Sequence, residues 1–146
     1  MAGDSQALNS VLQFRKAYAN VGSMTEPLAI VLYERLMPGS QLVNRLQDLN
    51  YRVQVINDPA LLVQFAEQSK PMLVLVDLES PSNVCGAISR LKQNPGTSHL
   101  PIIGFGMEPH PVLQEEARKA GVNLIANEAA ILGHLPQLLD QALQID

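Results

Sequence analysis

Three charged side chains stand directly behind apolar runs in this sequence. Glu34 and Arg35 follow Leu28 to Tyr33, and Asp77 follows Met-Leu-Val-Leu-Val. Carboxylates brought together can share a hard cation such as Mg²⁺, which takes oxygen ligands from one or two acidic side chains and several waters. A guanidinium beside them competes for the same oxygens, because its fork of N–H donors pairs with a carboxylate or a phosphate through two parallel hydrogen bonds. Arg35 is accordingly expected to neutralise Asp77. Each acidic residue also has a purely structural alternative, Asp77 capping the turn after its strand and Glu34 solvated in a loop.

Other chemistries lack their residues. A flavin or nucleotide site needs a loop that wraps phosphate with Ser, Thr and Gly donors. The segment Glu34-Arg35-Leu36-Met37-Pro38-Gly39-Ser40 offers one Gly and one Ser behind an acidic residue. Gly104-Phe105-Gly106 is two-thirds of a dinucleotide fingerprint and runs into Pro109. No Ser-His-Asp or Cys-His order accompanies a nucleophile turn. Cys85 shares a stripe with Val84 and Ile88 and reads as a small packing residue. His99, His110 and His134 have no metal-ligand spacing and read as surface or capping residues.

The elements that must position these residues follow from periodicity. Leu28 to Tyr33, Met72 to Val76, Pro101 to Phe105 and the weaker Val122 to Ala126 are too short for helices and rich in Val, Ile and Leu, as buried parallel strands are. Tyr51 to Val55 alternates apolar with polar and reads as an edge strand. Between them, five stripes repeat at helical spacing: Leu42/Val43/Leu46/Leu49, Leu61/Leu62/Phe65/Ala66, Val84/Ala87/Ile88/Leu91, Leu113/Ala117/Ala120 and Leu135/Leu138/Leu139/Ala142. Asp58-Pro59 supplies an N-cap and a first-turn proline, Gly121 a left-handed C-cap, and Pro136 places the last helix start near Leu135. Five strand–helix repeats with short connections imply right-handed crossovers and a parallel sheet covered on both faces. The expected fold is a doubly wound α/β domain of the flavodoxin-like group, strand order 2-1-3-4-5, with its crevice at the carboxyl ends of strands 1 and 3.

Size and charge agree with one such domain. A chain of 146 residues, 47% hydrophobic and 16% charged, can bury a single core. A net charge of −4 has the wrong sign for neutralising a phosphate backbone, so nucleic acid is not an expected partner. No apolar run approaches the roughly 20 residues of a membrane span, and no membrane partner is expected. The lone Cys85 leaves no internal disulfide or Cys cluster, and a reducing, cytoplasmic setting is the default. Residues 24–146 form the expected domain, and residues 1–23 stand apart. Leu8, Val11, Leu12 and Tyr18 suggest an amphipathic helical extension opened by Asp4 or Ser5, and Gly22-Ser23-Met24 reads as a natural hinge or as an expression-derived junction.

Taken in order, Glu34 closing strand 1, Asp77 closing strand 3, Gly106 closing strand 4 after Leu-Pro-Ile-Ile-Gly-Phe, and Ala120-Gly121-Val122-Asn123 opening strand 5 form a pattern. With Asp77 43 residues after Glu34, Gly106 29 further on and Glu128 another 22, residues 28–143 resemble the CheY-like receiver domain of bacterial two-component response regulators. The resemblance implies that Asp77 stands at the position that accepts a phosphoryl group, with two acidic residues after strand 1 helping to hold Mg²⁺. It further implies a Ser or Thr ending strand 4 and a Lys ending strand 5, both touching the phosphoryl oxygens. Such a transfer needs positioned cations and donors because charge spreads over the equatorial oxygens.

The helpers depart from that pattern. The acidic pair is Glu34-Arg35, the hydroxyl position is Gly106 followed by Met107, and the lysine position falls on Glu128, or on Asn127 with a one-residue slip. Ile125 replaces the aromatic whose rotamer reports phosphorylation in the family. Lys to Glu changes the local charge by two units, and one unit-charge pair at about 4 Å is worth about 4 kcal/mol at an effective dielectric near 20. The expectation is therefore a pseudo-receiver that signals by protein contact and is not an enzyme. The family docks partners through its fourth helix, fifth strand and fifth helix, so residues 109–144 or the N-terminal helix are the expected surface, a homodimer included. Glu115, Glu116, Arg118 and Lys119 form the wet part of that face. The alternative is a working phosphoacceptor in which Glu34, Asp77 and waters hold Mg²⁺; no other cofactor is implied.

Overall fold

The computed structural model describes residues 26–80, 82–106 and 111–144. The expected N-terminal helix, Met107 and His110 lie outside the described residues. Five strands, β1 (Leu28–Leu32), β2 (Arg52–Ile56), β3 (Leu73–Asp77), β4 (Ile102–Gly106) and β5 (Leu124–Asn127), make one parallel sheet in the order β2-β1-β3-β4-β5. The helices are α1 (Leu36–Asp48), α2 (Leu62–Ser69) after a 3₁₀ turn at Pro59–Leu61, α3 (Val84–Gln93), α4 (Pro111–Ala120), α5 (Glu128–Gly133) and α6 (Leu135–Gln144). Sheet order matches the pattern expected from periodicity, and element order matches it apart from the added helix α5.

The core is split by the two-residue period of the strands. Ile30, Leu32, Val74, Val76 and Ile102 face α2, α3 and α4, where Leu62, Ala66, Ala87, Ile88, Leu91 and Ala117 meet them. Ala29, Val31, Leu73, Leu75, Ile103 and Phe105 face the opposite way, onto Leu42 and Leu46 of α1, Ile131 of α5 and Leu135 and Leu139 of α6. Because β1, β3 and β4 are covered on both faces, their sequences read as unbroken apolar runs. β2 lies at the margin, and Arg52 and Val55 are exposed.

Local chemistry explains the boundaries. Asp58 Oδ1 accepts a hydrogen bond from Ala60 N, but the turn it caps is 3₁₀, and α2 begins only at Leu62. Asn83 Oδ1 caps α3 through Gly86 N. Gly121 ends α4 with φ +123°, a region closed to residues with a side chain, and a β-carbon there would meet Lys92 Cγ at 2.5 Å. The fifth strand starts two residues later and ends one residue later than its apolar run, and ahead of it Asn123 Oδ1 takes the N–H of Ile102 while Asn123 N donates to Ile102 O. α5 has no stripe of its own in the periodicity reading; six residues are too few to show one.

Candidate functional site

β3 delivers Asp77 to the carboxyl edge of the sheet on the face shared by Leu73 and Leu75, toward α1. Its side chain is 0% exposed, so its charge requires compensation within the protein. Arg35, the residue before α1, supplies it: Nε donates to Asp77 Oδ2 and Nη2 to Oδ1, each at 2.8 Å. Asp77 Oδ1 accepts a third hydrogen bond from Glu79 N at 3.0 Å, the turn-capping role open to any aspartate at a strand end. Both oxygens are therefore occupied by N–H donors.

The guanidinium lies among further carboxylates. Glu79 Oε1 is 3.7 Å from Arg35 Nη1, and Glu128 Oε2 is 3.8 Å from Nη2. The Asp77 hydrogen bonds hold Arg35 protonated more firmly than an ordinary arginine, against burial that opposes it, with the charges of Asp77, Glu79 and Glu128 adding to the effect. Glu34 turns away from this group. Its carboxylate accepts from Ser80 Oγ, Ser82 Oγ and Ser82 N, tying the segment after β1 to the segment after β3. The Ser80 hydrogen bond, followed by that of Ser82, holds the Glu34 carboxyl below the usual carboxylate range.

The remaining sequence-derived positions take these places. Gly106 ends β4 opposite Asn127, and a β-carbon on it would stand 2.9 Å from Glu79 Oε2. Asn127 is the last residue of β5 and caps α5 through Ala130 N, whereas Glu128 is the first helical residue and reaches back toward Arg35. The strand end thus coincides with Asn127, the slipped register. Ile125 is half-buried against the core of the α2–α4 face, paired with Gly104. Gly104 itself is a packing glycine: Leu78 covers it, and a β-carbon would stand 2.7 Å from Leu78 Cδ1.

The arrangement does not fit Mg²⁺, which needs carboxylate oxygens left open to a cation. Both Asp77 oxygens are committed to N–H donors, Glu34 is committed to serines, and a permanent cation already sits between the carboxylates. Among the described residues no three His, Cys, Asp or Glu side chains are placed to hold a metal. Cys85 is half-buried, and burial pushes its thiol up, away from the reactive thiolate. His99 and His134 are exposed. Sequence reasoning missed Glu79, Ser80 and Ser82; the signal available was a polar run, Glu79-Ser80-Pro81-Ser82, directly behind a strand end.

Comparison with known proteins gives the fold a class. No family model and no curated protein matches the sequence. Solved structures do: the chemotaxis protein CheY4 of Vibrio cholerae (TM-score 0.73, 15% identity, covering 81% of this chain and 99% of that one). The receiver domain of a sensor histidine kinase from Pseudomonas aeruginosa, solved with magnesium coordinated in its active-site cleft, gives 0.73, 18%, 81% and 98%. The response regulator domain of Thermotoga maritima CheB gives 0.70, 16%, 83% and 98%. This chain has the fold of CheY-like response regulator receiver domains.

Proposed function

We propose that the chain is a receiver-type signalling module that works by protein contact, with efficient phosphorylation lost because Arg35 holds the phosphoacceptor position. The bidentate bond from Arg35 to both oxygens of Asp77, 2.8 Å each, carries this reading. Transfer to a carboxylate requires an oxygen free to attack and cations to draw charge from the equatorial oxygens. Here the attacking oxygens are engaged, and Glu79 and Glu128 surround the guanidinium with further negative charge. A carboxylate that came within about 4 Å of an added phosphoryl group would oppose it by about 4 kcal/mol at an effective dielectric near 20.

On this reading the protein is not an enzyme, and its output is association. The exposed side of α4, carrying Glu115, Glu116, Arg118 and Lys119, lies within the segment that receivers commonly present to partners. Incubation with acetyl phosphate and Mg²⁺ followed by intact-mass measurement tests the proposal. No added phosphoryl mass is expected on the wild-type chain. Rapid uptake that disappears in Asp77→Ala would overturn it in favour of a working phosphoacceptor.

A further inference from the structure

Away from the crevice, α1 and the α5–α6 corner leave a recess of about 270 Å³ between them, lined by Arg45, Asp48, Leu49, Leu132, Leu135 and Pro136. Its volume exceeds the roughly 150 Å³ that accommodates a benzene ring, so it has room for at least one large apolar side chain. Leu49, Leu132, Leu135 and Pro136 give it an apolar side, and Leu49 is 37% exposed, one of the few large hydrophobic side chains left in water among the described residues. Arg45 and Asp48 put one cation and one anion beside that apolar side. Asp48 lines the recess, and Asp140 of α6 acts on nearby Tyr51, helping to raise its pKa after burial, the larger cause.

We infer that this recess is the docking site for the chain's own residues 1–25, seated through Leu8, Val11, Leu12 and Tyr18. The route of the chain supports the assignment. Glu26 and Pro27 are fastened beside Arg52, whose N–H donates to Pro27 O at 2.8 Å and whose Nε donates to Glu26 O at 3.1 Å. Arg52 is three residues beyond Leu49, and Tyr51 N is held by Leu46 O at 3.0 Å, so Glu26 and Pro27 stand near the end of α1 that lines the recess. A 25-residue segment spans about 37 Å even as a continuous helix, more than enough to cross one helix pair. Its apolar residues recur at helical spacing, and Arg15 and Lys16 against Asp4 make it cationic in a chain that is net −4 overall. Of the two charged residues in the lining, Arg45 and Asp48, a cationic residue beside the stripe complements Asp48. The contact is independent of Arg35 and Asp77.

Amide hydrogen exchange on the full-length chain tests the inference. Leu8→Asp combined with Leu12→Asp removes the apolar anchors without touching the domain core. Exchange at Leu49, Asn50, Leu132 and Gly133 is expected to speed up about tenfold, while β3 and β4 amides stay unchanged. Leu49→Asp, on the recess side, should reproduce the change at Leu132 and Gly133. Wild-type protection at these amides should be independent of protein concentration. Unchanged exchange in the double variant overturns the inference, and so does protection that grows with concentration, because the occupant is then a second copy.

Discussion

The two ends of the sheet handle buried polarity in opposite ways. At the amino edge, polar side chains serve the backbone. Thr97, 0% exposed, donates its hydroxyl to Leu91 O at 2.7 Å, a carbonyl whose helical partner four residues on would be Pro95, which has no N–H. Lys92 reaches Leu100 O at 2.7 Å and Ser98 O at 3.3 Å, and burial lowers its pKa. At the carboxyl edge, side chains chiefly serve one another: Arg35 pairs with Asp77, Glu79 and Glu128, and Glu34 accepts from the hydroxyls of Ser80 and Ser82, with one backbone N–H each for Asp77 and Glu34. Repairing main-chain carbonyls is work any stable fold requires. A fully buried carboxylate held by a guanidinium from another loop is required by no helix or strand, which sets the carboxyl edge apart.

That contrast can be broken first at Arg35. Arg35→Ala strands a fully buried carboxylate and is expected to cost about 3 kcal/mol of unfolding free energy by urea denaturation. Asp77→Ala should cost less, because Arg35 is 26% exposed and can turn to water. Equal costs would mean that the pair is not buried as described. At the other end, Thr97→Val keeps the shape but leaves Leu91 O without its donor, for an expected loss of about 1–2 kcal/mol in the same assay. No effect on acetyl phosphate reactivity should accompany it.

The smallest effect is on pH dependence. Glu34 has a lowered pKa, so its hydrogen bonds stabilise the fold above the ordinary value of 4.5, and that contribution disappears as pH falls through the folded value. Glu34→Gln should therefore flatten the loss of stability as pH falls below 4.5, measured as the shift in urea midpoint. Ser82→Ala should move the Glu34 titration upward toward its ordinary value in carboxyl NMR. An unmoved titration would show that Ser82 does not hold the carboxylate.

Much of this was legible in the sequence because periodicity is a packing rule. The runs at β1, β3 and β4 fixed the centre of the sheet, the wet alternation at β2 fixed its margin, and the stripe of Leu135, Leu138 and Leu139 located α6. The pairing of Arg35 with Asp77 followed from charge and strand order alone. Glu79, Ser80 and Ser82 did not, because loop side chains obey no period and their partners are set by where two separate loops meet. That β5 ends at Asn127, one residue before Glu128, is a matter of one residue of register, which a four-residue strand specifies weakly.

Glycine at position 106 links parts of the crevice that look separate. A β-carbon there must displace the Glu79 carboxylate, and Glu79 is one of the groups gathered around Arg35. Adding a hydroxyl at 106 and altering the cation at 35 are therefore coupled changes, whose combined effect will differ from the sum of the two made alone. A hydroxyl added at 106 to probe phosphoryl chemistry therefore has to be read together with the position it forces on Glu79.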